Sequence, residues 1–240
     1  MLEGLRTHWR SALKLALPWL ALMAALKIWS LNIKPLQANS TEALNLTFID
    51  LIAVVVGLLA TSSIAVSWHR FILIDAPLKT ELAFRVDKIV WSYLSRSFLI
   101  YFLCLIPLVA LVLISEMSGA SILQPVVLGL MLMLIVFICR MSVSLPAVAI
   151  GKSQIGLKQA METTRRNNLR ILGLISLSFI ILAIPFFGYL MVIGAINNID
   201  PKTAIVFAAV LGIPLQFCSV MLNATLLTSL YGFFVEKRDF

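Results

Sequence analysis

Residues 68–99 read WHRFILIDAPLKTELAFRVDKIVWSYLSRSFL and connect two strongly apolar stretches of the chain. The segment begins with Trp68-His69-Arg70, carries charged residues through its middle, and becomes apolar again at Phe98. Between Leu82 and Leu94, apolar residues recur at the spacing of one helix face. We therefore predict an amphipathic helix over residues 78–95 that lies flat on a membrane surface or against neighbouring helices.

The composition of the whole chain excludes a soluble globular protein. Of the 240 residues, 61% are hydrophobic and 12% are charged, whereas soluble domains carry about 45–50% apolar and about 25% charged residues. Lipid must therefore solvate much of the apolar surface, and apolar segments of about 20 residues predict membrane-spanning helices. The predicted fold class is all-α, with six transmembrane helices and two amphipathic interfacial helices.

The chain is predicted to form a single transmembrane domain over residues 1–240. The six spans are placed at residues 13–33, 46–68, 98–114, 122–142, 171–196 and 204–234. The amphipathic segments are placed at residues 78–95 and, between spans four and five, at residues 153–166. The two hairpins that contain these segments share a plan, which is compatible with an internal duplication.

The distribution of basic residues predicts the orientation of the spans. With the N-terminus inside the cell, every Lys and Arg except Lys27, Lys34 and Lys202 falls in a segment on the inner side of the membrane. This asymmetry follows the positive-inside rule, so both termini are predicted to be cytoplasmic. The net charge of +8 therefore reflects topology, and nucleic acid is not an expected partner.

The basic residues on the inner side form the strongest candidate for a binding site. Anionic lipid headgroups attract such residues by about 1 kcal/mol each near a membrane surface. Topology alone explains the number of charges, but it does not explain the two amphipathic segments. Trp68 and His69 are expected at the membrane interface, and Arg70 is expected to reach lipid phosphates. The residues predicted to bind lipid or a partner protein are Trp68, His69, Arg70, Arg85, Lys88, Arg96, Arg140, Arg165 and Arg166.

A second set of polar residues lies inside the predicted spans. Gln216, Ser219 and Asn223 fall on one face of span six, and Asp50 lies near the outer end of span two. The stripe in span six can line a transport path, or it can make interhelical hydrogen bonds of ~0.6 kcal/mol each. Asp50 is either an interfacial carboxylate or a ligand for an ion or proton on the same path.

No catalytic, cofactor or metal site is predicted. The chain contains two histidines and three cysteines, and it lacks the HExxH, CxxC, P-loop and Ser-His-Asp patterns. We therefore predict a scaffold or accessory subunit, not an enzyme, that binds a protein partner or anionic lipid through its inner face. The alternative is a small oligomeric transporter or channel, which the polar stripe and the prolines inside several spans support.

Two motifs in the middle of the chain carry a resemblance to a known group. They are Ala65–Leu73, which contains Trp-His-Arg, and Arg140–Gly151, which contains Leu-Pro-Ala-Val-Ala-Ile-Gly. Together with Ala160–Thr164 and Asn167-Asn168, they resemble a group of bacterial multi-pass inner-membrane proteins with WHR and LPAxAxG motifs. This group is distantly similar to YciC-like proteins and to the membrane domain of some glycerophosphodiester phosphodiesterases. The resemblance covers Ala65–Leu172 and implies a bacterial inner-membrane location and six spans, but no activity.

Overall fold

The computed structural model describes residues 8–33, 48–76, 84–118, 124–152 and 155–237, which form eight helices and no strand. Six stretches are long and apolar enough to cross a membrane, and α4 with α5 makes up one of them. The prediction of an all-α chain with six such stretches is confirmed. The helices are α1 (Trp9–Ile33), α2 (Phe48–Ile74), α3 (Lys88–Ser118), α4 (Gln124–Ser142), α5 (Ser144–Ala149), α6 (Leu157–Thr163), α7 (Asn168–Ile199) and α8 (Pro201–Phe234).

The helices extend beyond the predicted spans around the Trp-His-Arg motif. α2 continues to Ile74, so the motif lies inside the helix and not at its end. Asp75 adopts a left-handed conformation with φ of 48°, which ends α2 in the way that helices commonly end. The predicted span ended at Trp68, where the first aromatic and charged residues appear. The helix itself continues to Ile74 and ends at the left-handed Asp75.

Of the predicted interfacial helix over residues 78–95, the structure shows a helix only from Lys88 onward. Residues 77–83 lie outside the described residues, and residues 84–87 are not helical. From Lys88 onward the segment forms the first turns of α3. Val90, Tyr93 and Leu94 of its predicted apolar face are buried within the bundle, whereas Val86 is 45% exposed. The helical spacing therefore reflects packing against protein.

The second predicted amphipathic segment, residues 153–166, contains the shorter helix α6. Residues 153–154 lie outside the described residues. Ala160 and Thr164 are fully buried, and Leu157 and Met161 pack against the core, so this face also packs on protein. The connection from α4 to α7 thus contains two helices, while no helix is described between α2 and α3, and the duplication stays a prediction.

The core of the bundle lies toward one end of the long helices. The buried residues of α2 all fall between Ala60 and Leu73, and Trp19 of α1 donates a hydrogen bond from Nε1 to Ser63 Oγ at 3.2 Å. We call this end, where Arg70, Arg96 and Arg140 lie, the arginine end. At the opposite end the helices expose large apolar side chains, which suits a lipid surrounding. Examples are Phe48, Leu51, Ile184 and Met191.

Asp87 determines where α3 begins. Its Oδ1 accepts a hydrogen bond from the backbone N–H of Val90 at 3.1 Å, and its Oδ2 accepts hydrogen bonds from Arg85. Partial burial raises the pKa of the Asp87 carboxyl, but the bonds from Arg85 and the backbone outweigh this effect and hold the pKa below 3.8, its ordinary value. The Arg85 side chain therefore forms an ion pair within its own segment.

Replacing Asp87 with Ala should lower the free energy of unfolding by about 1 kcal/mol, because α3 loses its N-terminal cap. Since the folded-state pKa lies below the unfolded value, the stabilisation from the charge is present above the ordinary carboxyl pKa and is lost as pH falls through the folded-state pKa. Thermal unfolding in detergent, at neutral and at acidic pH, measures both effects.

Asp87→Asn is the matched control, because asparagine caps helices about as well as aspartate but carries no charge. We expect this variant to retain more stability than Asp87→Ala at neutral pH and to lose the pH dependence that Asp87 contributes. Equal thermal midpoints for the wild type and Asp87→Ala would contradict this account of the cap.

Candidate functional site

Arg70 of the Trp-His-Arg motif contacts the second motif of the resemblance. Its Nη1 donates a hydrogen bond to the backbone carbonyl of Ala149 at 3.2 Å. Ala149 is the last residue of α5, and the last carbonyls of any helix lack partners within that helix. The guanidinium therefore satisfies a helix end and joins α2 to α5.

Gly151 completes the end of α5. Its φ is +81°, and its N–H donates to the carbonyl of Val148 at 3.1 Å, while the N–H of Lys152 donates to the carbonyl of Ala147 at 2.9 Å. These two bonds form a Schellman motif, in which glycine is favoured because it adopts positive φ without strain. The final glycine of the LPAxAxG motif thus has a backbone role.

Arg140 holds α6 against α4. Its Nη2 donates to the carbonyl of Met161, its Nε donates to Thr164 Oγ1 at 3.0 Å, and its Nη1 donates to Asn168 Oδ1 at 3.3 Å. Met161 lies in the last turn of α6, where carbonyls lack helical partners. One side chain therefore connects α4, the end of α6 and the start of α7.

Arg96 makes the third bond of this kind, from its Nη1 to the carbonyl of Ile155 at 3.2 Å, in the connection between α5 and α6. Arg70, Arg96 and Arg140 are all half-buried. Three of the residues predicted to bind lipid or a partner thus use donors on their own chain. Together they fasten α5, α6 and the connection between them to the long helices.

Trp68 and His69 are enclosed by the bundle. Trp68 is 1% exposed and packs within the core, and His69 is 0% exposed. The expectation that these side chains lie at the membrane interface is wrong, because neither can reach a headgroup or a partner surface. His69 faces α8 and α3, where its ring nitrogens meet Thr228 and Tyr93.

His69 lies in a buried chain of hydrogen bonds. Its Nδ1 is 2.7 Å from Thr228 Oγ1, and its Nε2 is 3.4 Å from the Tyr93 hydroxyl. Thr228 Oγ1 donates its hydrogen to the carbonyl of Ala224 at 2.7 Å, so it can only accept from His69. In the neutral imidazole Nδ1 is then the donor, and Nε2 accepts the hydroxyl hydrogen of Tyr93.

Other predicted binding residues lie on the surface of the arginine end. Lys88, Arg165 and Arg166 are exposed. Arg165 and Arg166 follow α6 in a turn, where Arg166 has a φ of 71°. Further basic residues exposed at the same end are Arg10, Lys14, Lys158 and Arg170. The arginine end therefore combines half-buried cations that bind the chain with exposed cations on its surface.

A cavity of about 590 Å³ lies among α2, α3, α4, α7 and α8. This volume falls in the range of small-molecule sites, about 300–1,000 Å³. Its described lining is mostly apolar and contains no Asp, Glu, Lys, Arg or His. The hydroxyl- and amide-bearing residues of the lining are Thr61, Ser62, Tyr93, Ser97, Tyr101, Ser142, Ser178, Ser219 and Asn223.

The cavity divides the predicted intramembrane polar set. Ser219 and Asn223 line it, whereas Gln216 is exposed elsewhere on α8 and does not belong to the described lining. Asp50 lies near the start of α2, at the end of the bundle opposite to the arginine end. The four residues therefore do not form one continuous path within the described part of the chain.

Sequence reasoning missed most of the polar wall of the cavity and the role of Thr228. Several of the predicted spans contain serine or threonine, and this recurrence could have indicated a shared polar wall. No signal separated Thr228 from the neighbouring Thr225, because both are hydroxyl side chains in the same apolar stretch. Within the described residues, no three His, Cys, Asp or Glu side chains come together to hold a metal ion.

Comparisons with known proteins find no counterpart for this chain: no protein-family model, no curated protein and no solved structure matches it. The resemblance to bacterial inner-membrane proteins therefore stays an expectation.

Replacing Thr228 with Val should lower the free energy of unfolding by about 1–3 kcal/mol, because the buried Nδ1–H of His69 loses its acceptor. Thr225→Val is the matched control. Thr225 is also buried on α8 and also donates to a carbonyl of its own helix, at 2.7 Å from Met221 O. Unfolding of both variants in detergent should show the larger loss of unfolding free energy for Thr228→Val. Equal losses would contradict the role of Thr228 as the acceptor for His69.

Replacing Gly151 with Ala should cost about 1 kcal/mol, because alanine is strained at positive φ. No atom lies within 4 Å of the position that the new Cβ would take, so the cost comes from the backbone alone. Gly173→Ala in α7 also meets open space and should instead be neutral or stabilising, since glycine weakens a helix interior. Thermal midpoints that move in the same direction for both variants would contradict the Schellman assignment.

Proposed function

We propose that this protein is a non-enzymatic scaffold or accessory subunit of the bacterial inner membrane, with both termini in the cytoplasm, that binds anionic lipid through the arginine end. The observation that carries the proposal is the division of the basic residues there. Arg70, Arg96 and Arg140 bind carbonyls of the chain, whereas Lys88, Arg166 and their exposed neighbours remain on the surface. The exposed charges are the ones available to another molecule.

The position of the exposed charges favours lipid as the molecule they bind. Lys88 is the first residue of α3, and Arg165, Arg166 and Arg170 lie beside the start of α7. Basic residues at the ends of membrane-spanning helices lie at the depth of lipid phosphates, where each contributes about 1 kcal/mol. The positive-inside distribution of Lys and Arg supports the cytoplasmic placement of this end.

A protein partner is the other occupant that an exposed basic surface can bind. Such a partner would need acidic groups placed opposite Arg165 and Arg166, and it would purify with the chain in a fixed ratio. Lipid binding instead requires only that anionic headgroups be enriched around these residues. The two outcomes are separable in one purification.

Neutralising Lys88, Arg165, Arg166 and Arg170 to Gln should reduce the ratio of anionic to zwitterionic lipid that co-purifies with the protein. We expect a loss of at least about fivefold, the factor that corresponds to about 1 kcal/mol. The protein is reconstituted in nanodiscs of mixed phosphatidylglycerol and phosphatidylcholine and then extracted in mild detergent. Mass spectrometry measures the bound lipids and any co-purifying protein from the expression host.

Arg70→Gln and Lys27→Gln are the control variants. Arg70→Gln should lower the unfolding free energy by about 1.5–3 kcal/mol through the lost bond to Ala149, but it should leave the lipid ratio unchanged. Lys27 is exposed at the opposite end of α1 and should change neither. An unaltered lipid ratio in the fourfold variant would overturn the proposal, and loss of a stoichiometric protein instead would replace lipid with a partner protein.

The cavity favours a second candidate function, a small oligomeric transporter or channel. It lies between helices and includes Ser219 and Asn223 of the predicted polar stripe. A path across the membrane would need to continue past the cavity toward the end where Asp50 lies. The exposed basic surface supports the scaffold more directly, because it needs no such continuation.

A further inference from the structure

We infer that the cavity among α2, α3, α4, α7 and α8 binds one uncharged lipid alcohol from the bilayer, a molecule with an apolar chain and a free hydroxyl group. This site lies inside the bundle and is distinct from the exposed basic surface. The inference goes beyond the proposed function, since it concerns a different ligand at a different place.

The lining excludes a charged occupant. No Asp, Glu, Lys, Arg or His belongs to the described lining. Burying an ion or an anionic headgroup without a counter-charge is strongly unfavourable, because nothing replaces the water that solvated it. The mostly apolar wall instead suits a hydrocarbon chain. Such a chain exchanges one apolar surrounding for another when it moves from the bilayer into the cavity.

The polar side chains of the wall define the hydrogen-bonding group of the ligand. The hydroxyls of Thr61, Ser97 and Ser178 donate their hydrogens to carbonyls of their own helices at 2.9–3.0 Å. Asn223 Nδ2 donates to Ser219 O at 2.8 Å, which leaves its side-chain oxygen as an acceptor. The three hydroxyls have used their hydrogens and retain lone pairs, and the Asn223 amide keeps its carbonyl oxygen beside one further N–H. The wall therefore offers acceptors to a ligand that donates.

Tyr93 is held in the wall by the buried histidine. Its hydroxyl hydrogen is directed at His69 Nε2, since Nδ1 donates to Thr228. The Tyr93 oxygen therefore also offers a lone pair. Because His69 is itself fixed on both sides, this acceptor is positioned before any ligand arrives. A lipid with a free hydroxyl fits these acceptors better than an ester or ether of the same size.

Exposed aromatic residues indicate that the ligand enters from the bilayer. Three aromatic residues of the lining reach the outer surface of the bundle, namely Phe98, Tyr101 and Phe179, which are 53%, 61% and 74% exposed. All three lie within helices long and apolar enough to cross a membrane. The cavity therefore meets the lipid-facing surface of α3 and α7, and a bilayer component can reach it without crossing water.

Photocrosslinking with a diacylglycerol tests this site. The full chain is placed in phosphatidylcholine nanodiscs that contain a diacylglycerol with a diazirine in one acyl chain, and labelled peptides are mapped by mass spectrometry. Label should concentrate on the lining of α3, α4 and α7. Unlabelled diacylglycerol should compete, whereas its O-acetyl derivative, which lacks the donor, should compete at least about fivefold less well, the factor for one net hydrogen bond.

Two variants and one control complete the test. Asn223→Leu removes an acceptor while keeping a similar volume, and Leu182→Trp fills the cavity from α7, so each should reduce cavity labelling by about fivefold or more. Gln216→Leu, a polar-to-apolar change on α8 outside the described lining, should leave labelling unchanged. Thermal midpoints and size-exclusion profiles confirm that each variant is folded, and Asn223→Leu suffices if Leu182→Trp does not fold.

Labelling spread evenly over exposed apolar surfaces, including Met191 of α7, would overturn the inference. So would equal competition by the O-acetyl derivative, or labelling that survives both cavity variants. None of these outcomes bears on the basic surface, because the ratio of anionic to zwitterionic lipid is measured with other variants.

Discussion

A helix that ends inside a packed bundle must find donors for its last carbonyls, and this requirement organises the arginine end. Every residue of α5 is buried, and Ala149 is 0% exposed, so its carbonyl is shielded from water. The Schellman turn at Gly151 satisfies two carbonyls, and Arg70 satisfies that of Ala149. Because Arg70 belongs to α2, the same bond joins α2 to α5 directly after the buried Trp68 and His69.

The basic residues at this end fall into two groups that a count of charges does not separate. Any Lys or Arg beside a span contributes to orientation, wherever its side chain points. The three residues that bind carbonyls are all arginines, and a planar guanidinium with five donors can bond several acceptors at once, as Arg140 does with Met161, Thr164 and Asn168. The neighbours of each basic residue, and not its charge, decide whether it stabilises the fold or remains available on the surface.

The six long apolar stretches were predictable because their length and composition can be read from each segment by itself, without knowledge of tertiary contacts. The start of α3 at Lys88 could also have been predicted, because Asp87 precedes it as an N-cap residue. The predicted span began at Phe98 instead, because the sequence changes there from charged to apolar residues. The burial of His69 was not readable. Its partner Thr228 lies 159 residues away, and only the packing of α8 on α2 decides which face of α2 is enclosed.

The cavity was hidden from sequence reasoning for a different reason. A serine or threonine in an apolar helix bonds to a carbonyl one turn earlier, so each residue taken alone is satisfied and indicates no site. Ser97 and Ser178 do this on separate helices, and only the bundle brings their remaining lone pairs to one wall. Small side chains at these positions also leave volume that leucine would fill.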